Sequence, residues 1–310
     1  MTPLAEILAG AGPMRFSRFM EAALYHPQHG YYRKARDPFG KEGDYFTASQ
    51  LQPVFGRLIA QVIEGLRDEL GAPADFATLE IGAGRGEMEP FLKHLGYVGV
   101  DVDRGPWPGS VHGVIFANEL FDALPVDVAM VAGGEWVEAL VRWDGSRFVW
   151  MAGEPLEADS ADYVKRNAQP GSERIELPTG ALTMMDHIAA TLRAGFALII
   201  DYGYTRREQV RFPQGTLMSY RRHTALDDVL FEPGTRDITA HVAFDPLLER
   251  ARERGLRVER FETLQQLLLR AGERDQFARA LEGSTRGTLQ LKTLLFGMGE
   301  TFRAALLRRL

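Results

Sequence analysis

The chain has 310 residues, 45% of them hydrophobic, with a net charge of −6 and no cysteine. That length buries one large core or two modest ones, and the acidic balance offers no global field to nucleic acid or anionic lipid. The absence of thiols excludes disulfides, thiolate metal sites and a cysteine nucleophile, and it fits a reducing compartment.

Leu4, Ile7 and Leu8 share one helical face, and Phe16, Phe19, Met20 and Ala23 share another, with a break at residues 10–13. The first residues carry no basic region followed by a continuous apolar one. The longest apolar stretch, residues 196–200, is far too short to span a bilayer. A cytoplasmic protein without membrane insertion is therefore expected. His26 and His29 flank a Pro/Gly turn, where packing and capping explain them better than a metal, and no metal site is expected. Residues 43–49 form a polar-aromatic loop. In it Asp44, Tyr45 and Thr47 are candidates for one wall of a polar substrate site. A long amphipathic helix over 52–70 follows, ending at Gly71-Ala-Pro73.

Next comes Thr78-Leu-Glu80-Ile-Gly82-Ala-Gly84-Arg-Gly86, an apolar strand that runs through alternating glycines into a helix-like stretch over 87–95. Such a turn brings backbone N–H groups close to a ligand. The following strand ends in Asp101 and Asp103, at the distance in sequence where a ribose-binding acid sits. A dinucleotide fingerprint needs its third glycine one residue later. A carboxylate at Glu80 also suits a cationic amino group better than a pyrophosphate. The pattern fits S-adenosylmethionine (SAM), with Glu80 near the amino group, Gly82, Gly84 and Gly86 beneath the ligand, and Asp101 on the ribose hydroxyls. An NAD-dependent oxidoreductase is the more distant reading.

The buried strand 111–117 ends at Asn118-Glu119-Leu-Phe-Asp122. Ligands collect at strand carboxyl ends in doubly wound sheets. Asn118 either caps a helix or lies near the cofactor, and Glu119 and Asp122 are the candidate catalytic acids. Helix capping accounts for Asn118 but not for the two acids beside it. Residues 133–151 read as a hairpin turning at Asp144-Gly145. Residues 152–176 extend that lobe, and a helix over 181–192 leads to a strand ending at Asp201 and Tyr202, the latter a candidate substrate contact. A helix over 246–254, an edge strand over 256–261 and helical segments to the C-terminus complete the chain.

Several stretches are similar, in order and over nearly the whole length, to the MidA-like family of SAM-dependent methyltransferases. These include Tyr25-His-Pro, Gly43-Asp-Tyr-Phe-Thr47, Glu80 to Gly86, Ala117-Asn-Glu-Leu-Phe-Asp-Ala-Leu-Pro-Val126, Asp201-Tyr-Gly203, Gly215-Thr-Leu217, Pro233 to Thr239 and Met298-Gly-Glu-Thr-Phe302. That group includes a mitochondrial arginine methyltransferase that assists respiratory complex I assembly. The resemblance implies a Rossmann-like α/β core with a mostly parallel sheet, helical and β-hairpin insertions, and methyl transfer to an arginine of a partner protein. A respiratory NADH dehydrogenase subunit is the first such partner to consider. The expected layout is a helical segment over 1–72, a methyltransferase domain over 73–262 with a lobe at about 133–180, and a helical segment over 263–310. The chain departs from the pattern after Asp103. Only residues 104–110 precede the next strand, too few for the usual helix and strand. The adenine wall is then shortened or rebuilt from Arg104-Gly-Pro-Trp107, with Trp107 either stacking on the base or filling the core. The alternative reading is an assembly factor with weak or no catalysis.

Overall fold

The computed structural model describes residues 1–33, 52–221, 224–226 and 228–310. The wall expected from Asp44, Tyr45 and Thr47 lies outside them.

Two short helices, α1 (Pro3–Gly10) and α2 (Phe16–Tyr25), flank strand β1 (Met14–Arg15). Thr2 caps α1 by accepting the Ala5 N–H, and Pro3 supplies a preset first turn. Helix α3 (Val54–Glu69) precedes β2 (Ala77–Ile81), the short α4 (Glu89–Leu92), β3 (Tyr97–Val100) and β4 (Val111–Asn118). The lobe that follows holds β5 (Asp127–Ala132), β6 (Glu135–Trp143), β7 (Phe148–Pro155), α5 (Ala158–Asn167) and β8 (Arg174–Leu177). Helix α6 (Thr179–Thr191) leads into β9 (Leu192–Tyr204). Short strands β10 (Met218–Arg221), β11 (Thr224–Leu226), β12 (Asp237–Thr239) and β13 (Val242–Ala243) come before α7 (Phe244–Glu253). The chain ends with β14 (Arg257–Thr263), α8 (Leu264–Glu273), α9 (Ala278–Leu281), α10 (Gly287–Lys292) and β15 (Phe302–Arg309).

Contacts divide the chain into two compact units. The first includes described residues 52–121, 184–203 and 246–310. Its sheet runs in the order β14-β15-β9-β4-β2-β3. Strands β3, β2, β4 and β9 are parallel, while β15 lies antiparallel between β9 and β14. Val114 and Phe116 on β4, with Phe196, Leu198 and Ile200 on β9, follow the two-residue period and pack beneath Phe55, Ile59 and Ile63 of α3. The intervening Ile115, Ala117, Ala197 and Ile199 are buried as well. Burial on both faces is what a parallel sheet covered by helices requires.

Strand β3 ends this sheet among the described residues, and its only pairing is with β2. The chain leaves it through a tight turn in which Asp101 and Arg104 exchange backbone hydrogen bonds at 2.9 and 3.1 Å, and then enters β4. The expected loss of one helix and strand is thus present, at the sheet edge. Two local expectations change. Residues 87–95 form a turn, the four-residue α4 and a 3-10 turn (Lys93–Leu95), ended by Gly96 at φ 64°. The last residues are strand β15 instead of helix. Ala304 to Leu307 are good helix formers, but insertion between two strands buries all four, and tertiary pairing overrides a weak propensity.

The second unit includes described residues 1–33, 122–183 and 204–245 (except 222, 223 and 227). Its antiparallel sheet runs β1-β6-β5-β8 with β7 paired to β6. The expected turn at Asp144 closes the β6–β7 hairpin: its carboxylate accepts N–H groups of Ser146 and Arg147 at 2.8 and 2.9 Å. Phe16, Phe19, Met20 and Leu24 of α2 fill the core with Val141 and Phe148.

Candidate active site

The register of the parallel strands sets the site. Ile81 of β2 pairs with Val100 of β3 and with Ala117 of β4, and Asn118 pairs with Ile200 of β9. The carboxyl ends of four strands therefore lie in one row. Glu80, Asp101, Asn118, Glu119 and Asp201 all belong to that row, which is where ligands bind in open α/β sheets.

The glycine loop leaves β2 with Gly82, Gly84 and Gly86 at φ 72°, 49° and 84°, a left-handed path that side chains resist. Its N–H groups are turned inward. Gly82 and Ala83 both donate to the Val100 carbonyl, Gly84 donates to Asp101 Oδ2 at 2.8 Å, and Gly86 donates to the Ala83 carbonyl. A diphosphate would find these four donors already spent. Two of the glycines also face close neighbours. A Cβ on Gly82 would press on Leu120, and one on Gly86 would meet the end of the Arg104 side chain. Gly84 is open on that side, with Glu87 the nearest group at 3.6 Å.

Glu80 is 5% exposed, and its Oε2 accepts the Tyr97 hydroxyl at 2.5 Å. Burial pushes its carboxyl up to about 8, against the pull of the Tyr97 hydrogen bond; the charge of Glu87 adds to the rise and that of Arg104 opposes it. The acid is thus poised to ionise when a cation arrives. Asp101 accepts Val102 N–H at 2.6 Å in addition to Gly84, so it ties the end of β3 to the middle of the loop.

Arg104 swings back from the tight turn over Gly86, and Nη2 donates to Glu89 at 2.9 Å. Trp107 does not join it. Its indole N–H donates to Thr191 Oγ1 at 2.7 Å and its ring meets His187 edge-on, so it anchors the shortened connection to α6.

At the end of β4, Asn118 donates through Nδ2 to Glu119 Oε1 at 3.1 Å, while its Oδ1 is buried with no hydrogen-bond partner among the described residues. Glu119 has φ 51°, a left-handed conformation unusual for a side chain of this kind. Asp201, fully buried, holds the turn that follows: its carboxylate accepts the Leu120, Phe121 and Tyr202 N–H groups at 3.2, 2.8 and 2.9 Å. Asp122 begins the second unit, where it is buried and its carbonyl accepts the Ala240 N–H at 2.9 Å. Tyr202 packs edge-on against Phe302 of β15, its cross-strand neighbour, at 5.6 Å.

These residues suit a nucleoside carrying an amino acid. The orphaned Asn118 oxygen and the Glu80 carboxyl are acceptors for an ammonium, and Asp101 has the chemistry to receive ribose hydroxyls. Tyr97 and Asp201 carry no site signal in the sequence, and Arg104 enters there only as part of the segment that could rebuild the adenine wall. Tyr97 is legible only once β2 and β3 are paired in register. Arg104 had a signal in the deletion itself.

A family model of S-adenosyl-L-methionine-dependent methyltransferases matches residues 100–262, just over half of the chain. The mitochondrial protein arginine methyltransferase NDUFAF7 homolog of Drosophila melanogaster is 27% identical over 316 residues, covering 81% of this chain and 69% of that protein. NDUFAF7 of Xenopus tropicalis is 25% identical, over 77% and 67% of the two chains. A Burkholderia thailandensis protein crystallised with S-adenosyl-homocysteine superposes with a TM-score of 0.87 at 28% identity, covering 98% of this chain and 90% of that one. The inward-turned glycine loop, the buried acid before it and the acid-tipped neighbouring strand are the parts such a ligand calls for. The chain belongs to the MidA-like family of S-adenosyl-L-methionine-dependent methyltransferases.

Proposed function

We propose that the chain is a protein arginine N-methyltransferase, with Glu119 as the residue that handles the acceptor guanidinium. The observation that carries this is the strained backbone of Glu119 at the tip of β4, joined to Asn118 and followed by a turn whose Leu120 and Phe121 N–H groups Asp201 accepts. The names borne by the relatives support the same acceptor. When bound, SAM supplies a methyl carbon on a sulfonium, and the electron pair of the broken C–S bond goes to sulfur.

The chain's own residues account for the rest. Glu80 and Asn118 hold the amino group and Asp101 the ribose, which fixes the direction of approach. Alignment of this kind supplies much of the acceleration in a displacement reaction. A guanidinium is a poor nucleophile because its lone pair is delocalised and its proton is held tightly. Glu119 accepts hydrogen bonds from the guanidinium, concentrates charge on the attacking nitrogen and takes the proton that nitrogen loses. Asp122, the second candidate acid, is buried three residues further along the chain; the proton is assigned to Glu119, at the strand tip itself. The acceptor arginine belongs to a partner protein, and a respiratory NADH dehydrogenase subunit is the first one to assay.

The test is methyl transfer from labelled SAM to protein, read as methylarginine after acid hydrolysis. Glu119→Gln is expected to abolish the product while S-adenosylhomocysteine (SAH) still binds. Near-normal turnover in that variant would remove Glu119 from the role, and label on another residue type would remove the arginine assignment.

A further inference from the structure

The base of the nucleoside needs a wall beyond the ribose-binding acid, and the element that usually provides one is missing. Seven residues, 104–110, stand in its place. The structure accounts for the larger polar side chains among them. Trp107 is committed to Thr191 and His187. Ser110 lies in a separate groove with Asp186 and Arg254. Arg104 is the side chain of this segment placed beside the glycine loop, with its guanidinium against Gly86. The left-handed backbone of Gly86, at φ 84°, disfavours a side chain there, and the arginine occupies the space beside it.

We propose that the Arg104 guanidinium is the adenine-contacting wall of the cofactor site, a planar cation laid against the base in place of the absent strand. The proposal rests on the assignment of the glycine loop as the SAM site. Three features make Arg104 suitable. It follows Asp101 by three residues through a turn closed by two backbone hydrogen bonds, so the ribose acid and the guanidinium are held in one rigid piece. Glu89 accepts from one edge of the guanidinium at 2.9 Å, which biases it toward this rotamer before the ligand arrives. Among the described residues Glu89 is the one hydrogen-bond partner of the guanidinium, and its flat face is of the kind that stacks on aromatic rings in a way lysine does not.

The experiment compares three ligands on the intact chain by calorimetry. SAH carries base, ribose and amino acid; 5′-methylthioadenosine lacks the amino acid; S-ribosylhomocysteine lacks the base. Arg104→Ala is expected to weaken the first two by about 3- to 30-fold and to leave the third unchanged. Arg104→Lys, which keeps the charge and loses the plane, is expected to show most of the same loss. Equal losses for all three ligands, or a loss confined to the two that carry the amino acid, would overturn the proposal, as would no loss at all. Failure of the wild-type chain to bind SAH and methylthioadenosine would instead strike the cofactor assignment, and this inference would fall with it.

Discussion

The Tyr97 hydroxyl donates to the buried carboxyl of Glu80 at 2.5 Å, across the first pair of strands in the sheet. The bond partly offsets the burial that raises the Glu80 carboxyl, which still lies at about 8. It leaves an acid that is neutral in the free protein at neutral pH and needs only a nearby cation to ionise.

A proton should therefore leave when the ligand's ammonium binds. The Glu80 carboxyl lies at about 8, so at pH 7 most molecules hold the proton. SAH binding measured in two buffers of different ionisation heat is expected to release about one proton per site at that pH. In Glu80→Gln the release should vanish and affinity should fall by about 10- to 100-fold. Proton release unchanged by the substitution would place the titrating group elsewhere.

The same acid costs stability. The folded carboxyl keeps its proton to about pH 8, whereas an ordinary glutamate loses it near 4.5. Between those values the unfolded chain binds fewer protons, so stability falls as pH rises. The full difference is on the order of 5 kcal/mol. Glu80→Gln should raise Tm progressively from pH 5 to 8, and a Tm gain independent of pH would refute the linkage.

Glu119 offers a second trade-off. Its φ of 51° is strained for glutamate and natural for glycine. Glu119→Gly is expected to stabilise the fold by about 1 kcal/mol in chemical denaturation while abolishing methyl transfer. A destabilised variant would mean that the side chain holds the turn rather than the acceptor.

Asp201 should behave in the opposite way. Its buried carboxylate receives three backbone N–H groups, two of them from the turn after Glu119. Asp201→Ala leaves those donors without their acceptor and is expected to cost about 3 kcal/mol or more. Asp201→Asn should recover part of this loss in the same denaturation experiment.

The parts legible in the sequence were those whose chemistry is local. Glu80, the three glycines and Asp101 announce themselves by spacing along a strand, a turn and the next strand. The shortened stretch after Asp103 could be counted directly, and the lone edge strand β3 is its outcome. Long-range relationships were hidden. Tyr97 reaches Glu80 only through the β2–β3 register, and Asp201 holds a turn 80 residues earlier in the chain. Strand β15 carried misleading local signals, because Ala304-Ala-Leu-Leu307 favours helix until two strands claim it. Trp107 left two readings open, stacking on the base or filling the core; its indole bonds Thr191 and the side chain is 37% exposed, so it does not fill the core.

The central claim is that the loop from Glu80 to Gly86, closed by Asp101, holds the SAM nucleoside. Calorimetric titration of the wild-type chain with SAH tests it most directly, beside Asp101→Ala, which removes the carboxylate that ties Gly84 to β3. The account predicts one site per chain in the wild type and at least a tenfold weaker one in the variant. No saturable heat in the wild type, or equal affinity in the two proteins, would contradict it.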